Sequence, residues 1–198
     1  MTASSTRSSA RIERPARRRA LAALAVLPWL WRAAPARADA IVARQAALDW
    51  VEDNLQLDAD FDVQLNGTLE EALTKGVPLV FVLEFELLRT RWYWWAVRVA
   101  SYTQSWRLSY NTLTRQFRLA SGPVFQNFTA LDEALAVLGR VRRRTVGDAR
   151  SVSRGATYSA AVRLRFDTSQ LPRPFQAAPF VNRDWNLAAD WLRWQATL

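Results

Sequence analysis

The chain has 198 residues, with 27 Lys+Arg, 18 Asp+Glu, no Cys and no His. That length suits one domain able to bury its own core. The missing residue types exclude a disulfide framework, a thiolate nucleophile, a zinc ribbon, a Ser-His-Asp triad and imidazole ligation of a metal, and the six scattered glycines argue against a phosphate-cradling P-loop or Rossmann turn.

The formal net charge of +9 is unevenly placed. Residues 1–38 hold eight arginines and one acid, so removing eight of 27 and one of 18 leaves 19 basic and 17 acidic residues, a net of +2. That first stretch reads as an address. A positive segment ends in Arg17-Arg18-Arg19, Ala20 to Trp31 is an unbroken apolar run of 12, and Ala36-Arg37-Ala38 offers the small residues an exporting peptidase requires. As a helix the run spans about 18 Å, short of a ~30 Å hydrocarbon core. The expectation is a signal peptide over residues 1–38, cut after Ala38 or Ala40, and a periplasmic domain over residues 39–198. The alternative is an uncleaved inner-membrane tether facing the periplasm.

Beyond the leader the dominant period is two. Leu55 to Leu65 alternates apolar and polar for eleven residues, with Asp58, Asp60 and Asp62 on the outward face. Ile41 to Glu52 before it fits a strand or a short helix, with a hairpin turning near Asp53-Asn54 preferred. Thr68 to Gly76 predicts a short helix with Thr68 as cap, Glu71 completing a capping box, Lys75 in the last turn and Gly76 as stop. Val77 to Leu88 predicts the most buried strand. Leu79, Phe81, Leu83, Phe85 and Leu87 share one face, and Val80, Val82, Glu84 and Glu86 the other.

Arg89 to Arg98 is aromatic and basic. Trp106–Tyr110 and Arg115–Leu119 predict a hairpin, Ser121-Gly122-Pro123 a turn, and Val124–Phe128 a further strand. A second helix is expected from a Thr129 cap to Arg140, with Leu131, Leu135 and Leu138 as its apolar stripe. Val152–Gly155 is a loop, and Thr157–Asp167 a strand with Val162, Leu164 and Phe166 on one side. Pro172, Pro174 and Pro179 break regular structure, and the tryptophan-rich end, with Trp185, Trp191 and Trp194, is expected to dock on the domain. The fold class is therefore mainly β, an antiparallel sandwich-like domain of about seven to nine strands with two short helices.

Asp58-x-Asp60-x-Asp62 opens like a calcium loop, but Val63 and Leu69 stand where an EF-hand needs Gly and Glu, so it reads as a solvated strand face. Glu84 and Glu86 lie about 6.5–7 Å apart by strand rise. They form the one carboxylate pair suited to hydrolysis without His, and also fit a salt-bridged face. Lys75 could mimic the base of a Ser-Lys dyad, but helix-dipole complementarity already explains it. The candidate binding surface is Arg91, Trp92, Tyr93, Trp94 and Trp95, whose aromatics could stack on sugar rings or sit at a membrane interface. Residues 39–86 hold 11 acids and two bases, and residues 87–198 six acids and 17 bases. Cross-strand ion pairs between early acidic and late basic strands are expected, with a basic surface that includes Arg140 and Arg142-Arg143-Arg144 as the alternative. No catalytic, cofactor or metal site is assigned, and an enzyme is not expected.

The runs VPLVFVLEFELLRTRWYWW, LSYNTLTRQFRL, LDEALAVLGR, DTSQLPRPFQ and DWNLAADW together resemble a family of exported proteobacterial proteins of unknown function, often labelled proline-rich signal peptide proteins. The resemblance covers about residues 40–198. It implies no activity or catalytic residue, but it does imply genomic company, a membrane sensor kinase of the nitrogen-regulation type. The expected function is a non-catalytic periplasmic binding or accessory domain linked to such a sensor. A glycan-binding module using the Trp92–Trp95 strand and a carboxylate-pair hydrolase are the alternatives. The expected partner is an envelope or membrane sensor protein, with contact at the membrane surface as a further expectation and nucleic acid excluded.

Overall fold

In the computed structural model, the described residues are 41–89, 96–172 and 185–198. Among them nine strands and two α-helices follow in chain order: β1 (Ile41–Val51), β2 (Asn54–Val63), α1 (Gly67–Thr74), β3 (Leu79–Arg89), β4 (Val97–Asn111), β5 (Gln116–Ser121), β6 (Val124–Phe128), α2 (Leu131–Leu138), β7 (Arg140–Asp148), β8 (Thr157–Phe166) and β9 (Leu192–Thr197). They form a three-stranded sheet, β1-β2-β7, and a six-stranded sheet, β6-β5-β4-β3-β8-β9, with every pairing antiparallel. The fold is the mainly β, sandwich-like domain with two helices that the patterning predicts.

Three combs of side chains make the core. On β3, Leu79, Phe81, Leu83, Phe85 and Leu87 are all but fully buried. The register sets Phe81, Leu83, Phe85 and Leu87 opposite Phe166, Leu164, Val162 and Ala160 of β8. The third comb is Leu55, Leu57, Ala59, Phe61 and Val63 of β2. Each fully buried Leu or Phe contributes about 1.5–3 kcal/mol relative to exposure. The smaller sheet meets the larger through β1 against β8 and β9 and through β7 against β4, while α2 covers β5 and β6. Phe81 packs on Phe166 with ring centroids 5.7 Å apart, and Phe166 on Trp185 at 6.4 Å, so the tryptophan-rich end does dock.

Ile41–Val51 is a strand, as the preferred hairpin reading expects, and its pairing of Val51 with Asn54 leaves a two-residue turn, Glu52-Asp53, with Glu52 at φ 54°. Other boundaries differ from expectation. The helix cap is Asn66, not Thr68. Asn66 is extended and its side chain accepts from the Leu69 N–H at 2.8 Å. This puts Leu69, not Glu71, at the third helical position and removes the capping box. Glu71 instead accepts from the Lys75 ammonium at 2.6 Å. Gly76 ends the helix at φ 88°, where its N–H donates to Leu73 O and the Val77 N–H to Ala72 O, a Schellman closure. The second helix starts at Leu131 after Ala130, with no side-chain cap, so Thr129 does not serve. The arginine-rich run from Arg140 is strand β7, entered directly from α2.

That direct entry depends on Gly139. The Phe61 N–H donates to Gly139 O at 2.8 Å, and a Cβ at this position would fall on the Phe61 carbonyl oxygen. The backbone of β2 fills the space a side chain needs. Gly67 has open space around it. G139A is therefore expected to destabilise the domain by about 2–3 kcal/mol, through forced separation of α2 from β2. G67A should change stability by less than about 1 kcal/mol, in the stabilising direction. Urea denaturation of both variants checks the contrast.

Candidate functional site

The outward faces of both sheets carry the charges, and those charges meet across strands. On the small sheet Asp62 accepts from Arg44 Nη2 at 2.7 Å. Asp60 accepts from Gln45 Nε2 and from Arg142 Nη2, and Asp58 accepts from the backbone N–H of Arg143. The hydrogen bonds from Gln45 and Arg142 hold the Asp60 carboxyl below its ordinary value. The three aspartates of the calcium-like motif therefore serve the β1-β2-β7 ladder. Among the described residues no group of three Asp, Glu, His or Cys is placed to hold a metal ion.

On the large sheet Glu84 accepts from Arg163 Nε at 2.6 Å and from Arg165 Nε at 2.9 Å, one bond to each oxygen. Arg165 also reaches Asp167 at 3.2 Å. Burial works to raise the Glu84 pKa, but the bonds from Arg165 and Arg163 outweigh it, and the carboxyl lies below its ordinary value. Asp167 behaves alike: burial raises its pKa, and bonds from Ser169 and Arg165 more than reverse this. Glu86 pairs with Arg98 at 2.8 Å. Hydrolysis by a carboxylate pair needs one member protonated near neutrality. Both Glu84 oxygens are occupied by arginines and Glu86 is paired with Arg98, so the pair reads as a salt-bridged face. The expected pairing of early acids with late arginines is what the ladders display.

The Arg91–Trp95 segment lies outside the described residues. It joins Arg89 to Val97, which pair with each other at the end of the β3–β4 ladder. Trp185 is buried, Trp194 packs toward Phe85 at 6.5 Å, and Trp191 lies under the guanidinium of Arg163 at 4.5 Å.

One hollow was not visible in the sequence. A cleft of about 750 Å³ opens between the end of β2, the start of α1, α2 and the start of β7. Phe61, Val63, Leu65 and Leu135 give it an apolar floor. Glu70 and Asp132 on the two helices and Arg140 on β7 stand on its rim, none with an ion pair among the described residues. Arg140 also stands opposite Asp60 and helps hold its carboxyl down. An apolar floor with charges of both signs at the rim can hold a ligand that is partly apolar and partly charged.

An antiparallel sandwich with structural ion pairs on its outer faces and an open cleft is thus the class of protein in hand. Residues 38–195 match the family described as domain of unknown function DUF4390, and the chain belongs to that family. No curated protein and no solved structure matches it significantly.

The depressed carboxyls set a pH dependence. A carboxyl whose folded value lies below its unfolded value stabilises the fold above the unfolded value, and this stabilisation is lost as pH falls through the folded one. Stability should hold from pH 7 to about 5, then fall through the unfolded carboxyl values near about 4 and on below them. E84Q should cost about 1–3 kcal/mol at pH 7 by leaving two arginines under-bonded, and should make the acid limb shallower. Thermal melts of both proteins between pH 2.5 and 7 would measure it.

Proposed function

We propose that the chain is exported and that its mature domain is a non-catalytic binding or accessory module of the bacterial envelope, with the extracytoplasmic part of a membrane sensor kinase as its partner. Export is supported by the charged and apolar leader ending in Ala36-Arg37-Ala38. No helix among the described residues is long and apolar enough to cross a membrane. The absence of Cys and His and the engagement of Glu84 and Glu86 by arginines favour binding over bond-breaking. The association with a sensor rests on the family resemblance drawn from the sequence.

The observation that carries a binding role is the cleft. Its floor is apolar, Glu70 and Asp132 on its rim make no ion pair among the described residues, and it opens between the end of β2 and the two short helices. A segment of a partner protein with an apolar side chain between charged ones matches that lining. Capture of envelope proteins on the tagged domain should recover the sensor kinase. Ala136, exposed on α2 and lining the cleft, offers the decisive change. A136W fills the space without touching the core, and should abolish capture while leaving the melting temperature within a few degrees. Undiminished capture by A136W would move the partner surface elsewhere. No recovery of a membrane protein by the unmodified domain, with the kinase present in the extract, would remove the partner assignment.

A further inference from the structure

From Leu87 to Leu131 the chain contains no Asp or Glu. The meander β4-β5-β6 therefore brings Arg98, Arg107, Arg115 and Arg118 to the large sheet without a carboxylate of its own. Arg98 is answered by Glu86 from β3. The other three have no ion pair among the described residues. On the outward face, Ser109 stands opposite Arg118 and Ala120 opposite Arg107. Arg107 and Arg118 are thus diagonal neighbours on adjacent strands, roughly 7–8 Å apart at Cα. Like charges so placed repel, and nothing in the packing of the sheet requires them.

Arg118 is also held in position. Its Nε donates to Asn127 Oδ1 at 3.3 Å, and its guanidinium lies 4.2 Å from the centre of the Phe125 ring. Beside it is a hollow of about 330 Å³ lined by Ser109, Tyr110, Asn111, Thr112, Leu113 and Arg118. Asn111 Oδ1 is engaged by the N–H groups of Leu113 and Thr114 at 3.0 and 3.2 Å, so the group it has left to offer is its amide NH₂. With the hydroxyls of Ser109 and Thr112, the hollow presents donors around one fixed guanidinium and no carboxylate. A planar guanidinium flanked by hydroxyl and amide donors is a recognition set for an oxyanion. A phosphate monoester, with close to two negative charges at neutral pH, matches the combined charge of Arg118 and Arg107.

We propose that this hollow binds a phosphate group, with Arg118 as the principal contact and Arg107 as supporting charge. The proposal stands apart from the cleft and from the identity of any sensor. The group can come from a soluble phosphomonoester or from a lipid headgroup. Leu113, 94% exposed at the lip, is the residue that separates the two sources, since only a bilayer offers it an apolar environment.

Inorganic phosphate titrated into ¹⁵N-labelled protein at constant ionic strength should move the amide signals of Ser109, Asn111, Thr112 and Arg118. Cosedimentation with phosphatidylglycerol vesicles, against phosphatidylcholine vesicles, forms the second arm. R118Q should weaken binding at least tenfold, and R118K should restore only part of it. R107Q removes a side chain with no bonded partner among the described residues, so it leaves the fold intact, and it should weaken binding about threefold. R193Q, the same loss of charge on β9, should change binding less than twofold. Phosphate binding without vesicle binding identifies a soluble ester. Vesicle binding that L113S reduces, with phosphate shifts unchanged by L113S, identifies a headgroup. Unmoved amides with both probes, or an R193Q loss equal to that of R118Q, would overturn the proposal.

Discussion

Burial of one face of β3 fixes nearly everything else in the molecule. Because side chains alternate along a strand, committing Leu79, Phe81, Leu83, Phe85 and Leu87 to the core commits Glu84 and Glu86 to the opposite face. Slipping the register by one residue would exchange the two sets and drive two carboxylates into a dry interior. The strand also stands fourth of six in its sheet, so Glu84 is flanked by strands on both sides and is half-buried. A carboxylate in that position needs a cationic neighbour, and β8 supplies two, at Arg163 and Arg165. The apolar pattern thus places the acids, and the acids in turn require the arginines.

The same logic governs the small sheet. β2 buries Leu55, Leu57, Ala59, Phe61 and Val63 and turns Asp58, Asp60 and Asp62 outward, where β1 and β7 meet them with Arg44, Gln45, Arg142 and the backbone of Arg143. Exposed pairs of this kind contribute about 0–1 kcal/mol each. Their value lies more in discrimination between registers, since a shifted β7 would leave the carboxylates of β2 without their arginines. β7 carries a second device. Its pairing with β2 shifts register twice, and Arg144 falls opposite Leu57, which places it on the core side with a buried Nε that makes no hydrogen bond. Bulges and an inward-pointing charge both discourage a second chain from adding to an edge strand.

What could be read in the sequence was whatever has a period. Strands β2, β3 and β8 announce themselves because one residue in two must be apolar, and the β4–β5 and β5–β6 turns because Asn111-Thr112 and Gly122-Pro123 are turn chemistry. β7 was unreadable for the opposite reason: its two register shifts break the alternation, so Arg142-Arg143-Arg144 looks like a charge run. The cap of α1 is not legible in the sequence because Asn66-Gly67 reads as a turn while Thr68 with Glu71 imitates a capping box. The geometry that decides between them, an extended residue 66 whose oxygen reaches the Leu69 N–H, is tertiary information. The cleft was invisible because its walls come from residues 44, 60–70 and 132–140. Such a concavity exists only once the topology has folded those segments together. The charge split was readable in full, and it correctly implied partners across strands.

Part of the charge on the large sheet lies outside these ladders. Every ion pair of the described strands joins residues within β1-β2-β7 or within β3, β4, β8 and the turn after β8. These are the strands whose apolar faces close the core, and their arginines are accounted for by acids that the alternation forces outward. Among the described residues Arg107 and Arg118 have no such acid, yet Arg118 is stacked on Phe125 and tied to Asn127. Orienting a long side chain costs about 2 kcal/mol of rotamer entropy, and a stack on an exposed ring returns about 0.5–1 kcal/mol. Folding gains little from the arrangement, and repulsion from Arg107 subtracts from that. A side chain held in place at no profit to the fold is the usual mark of a surface shaped by what it meets, and on this sheet that surface is the outward face of β4, β5 and β6.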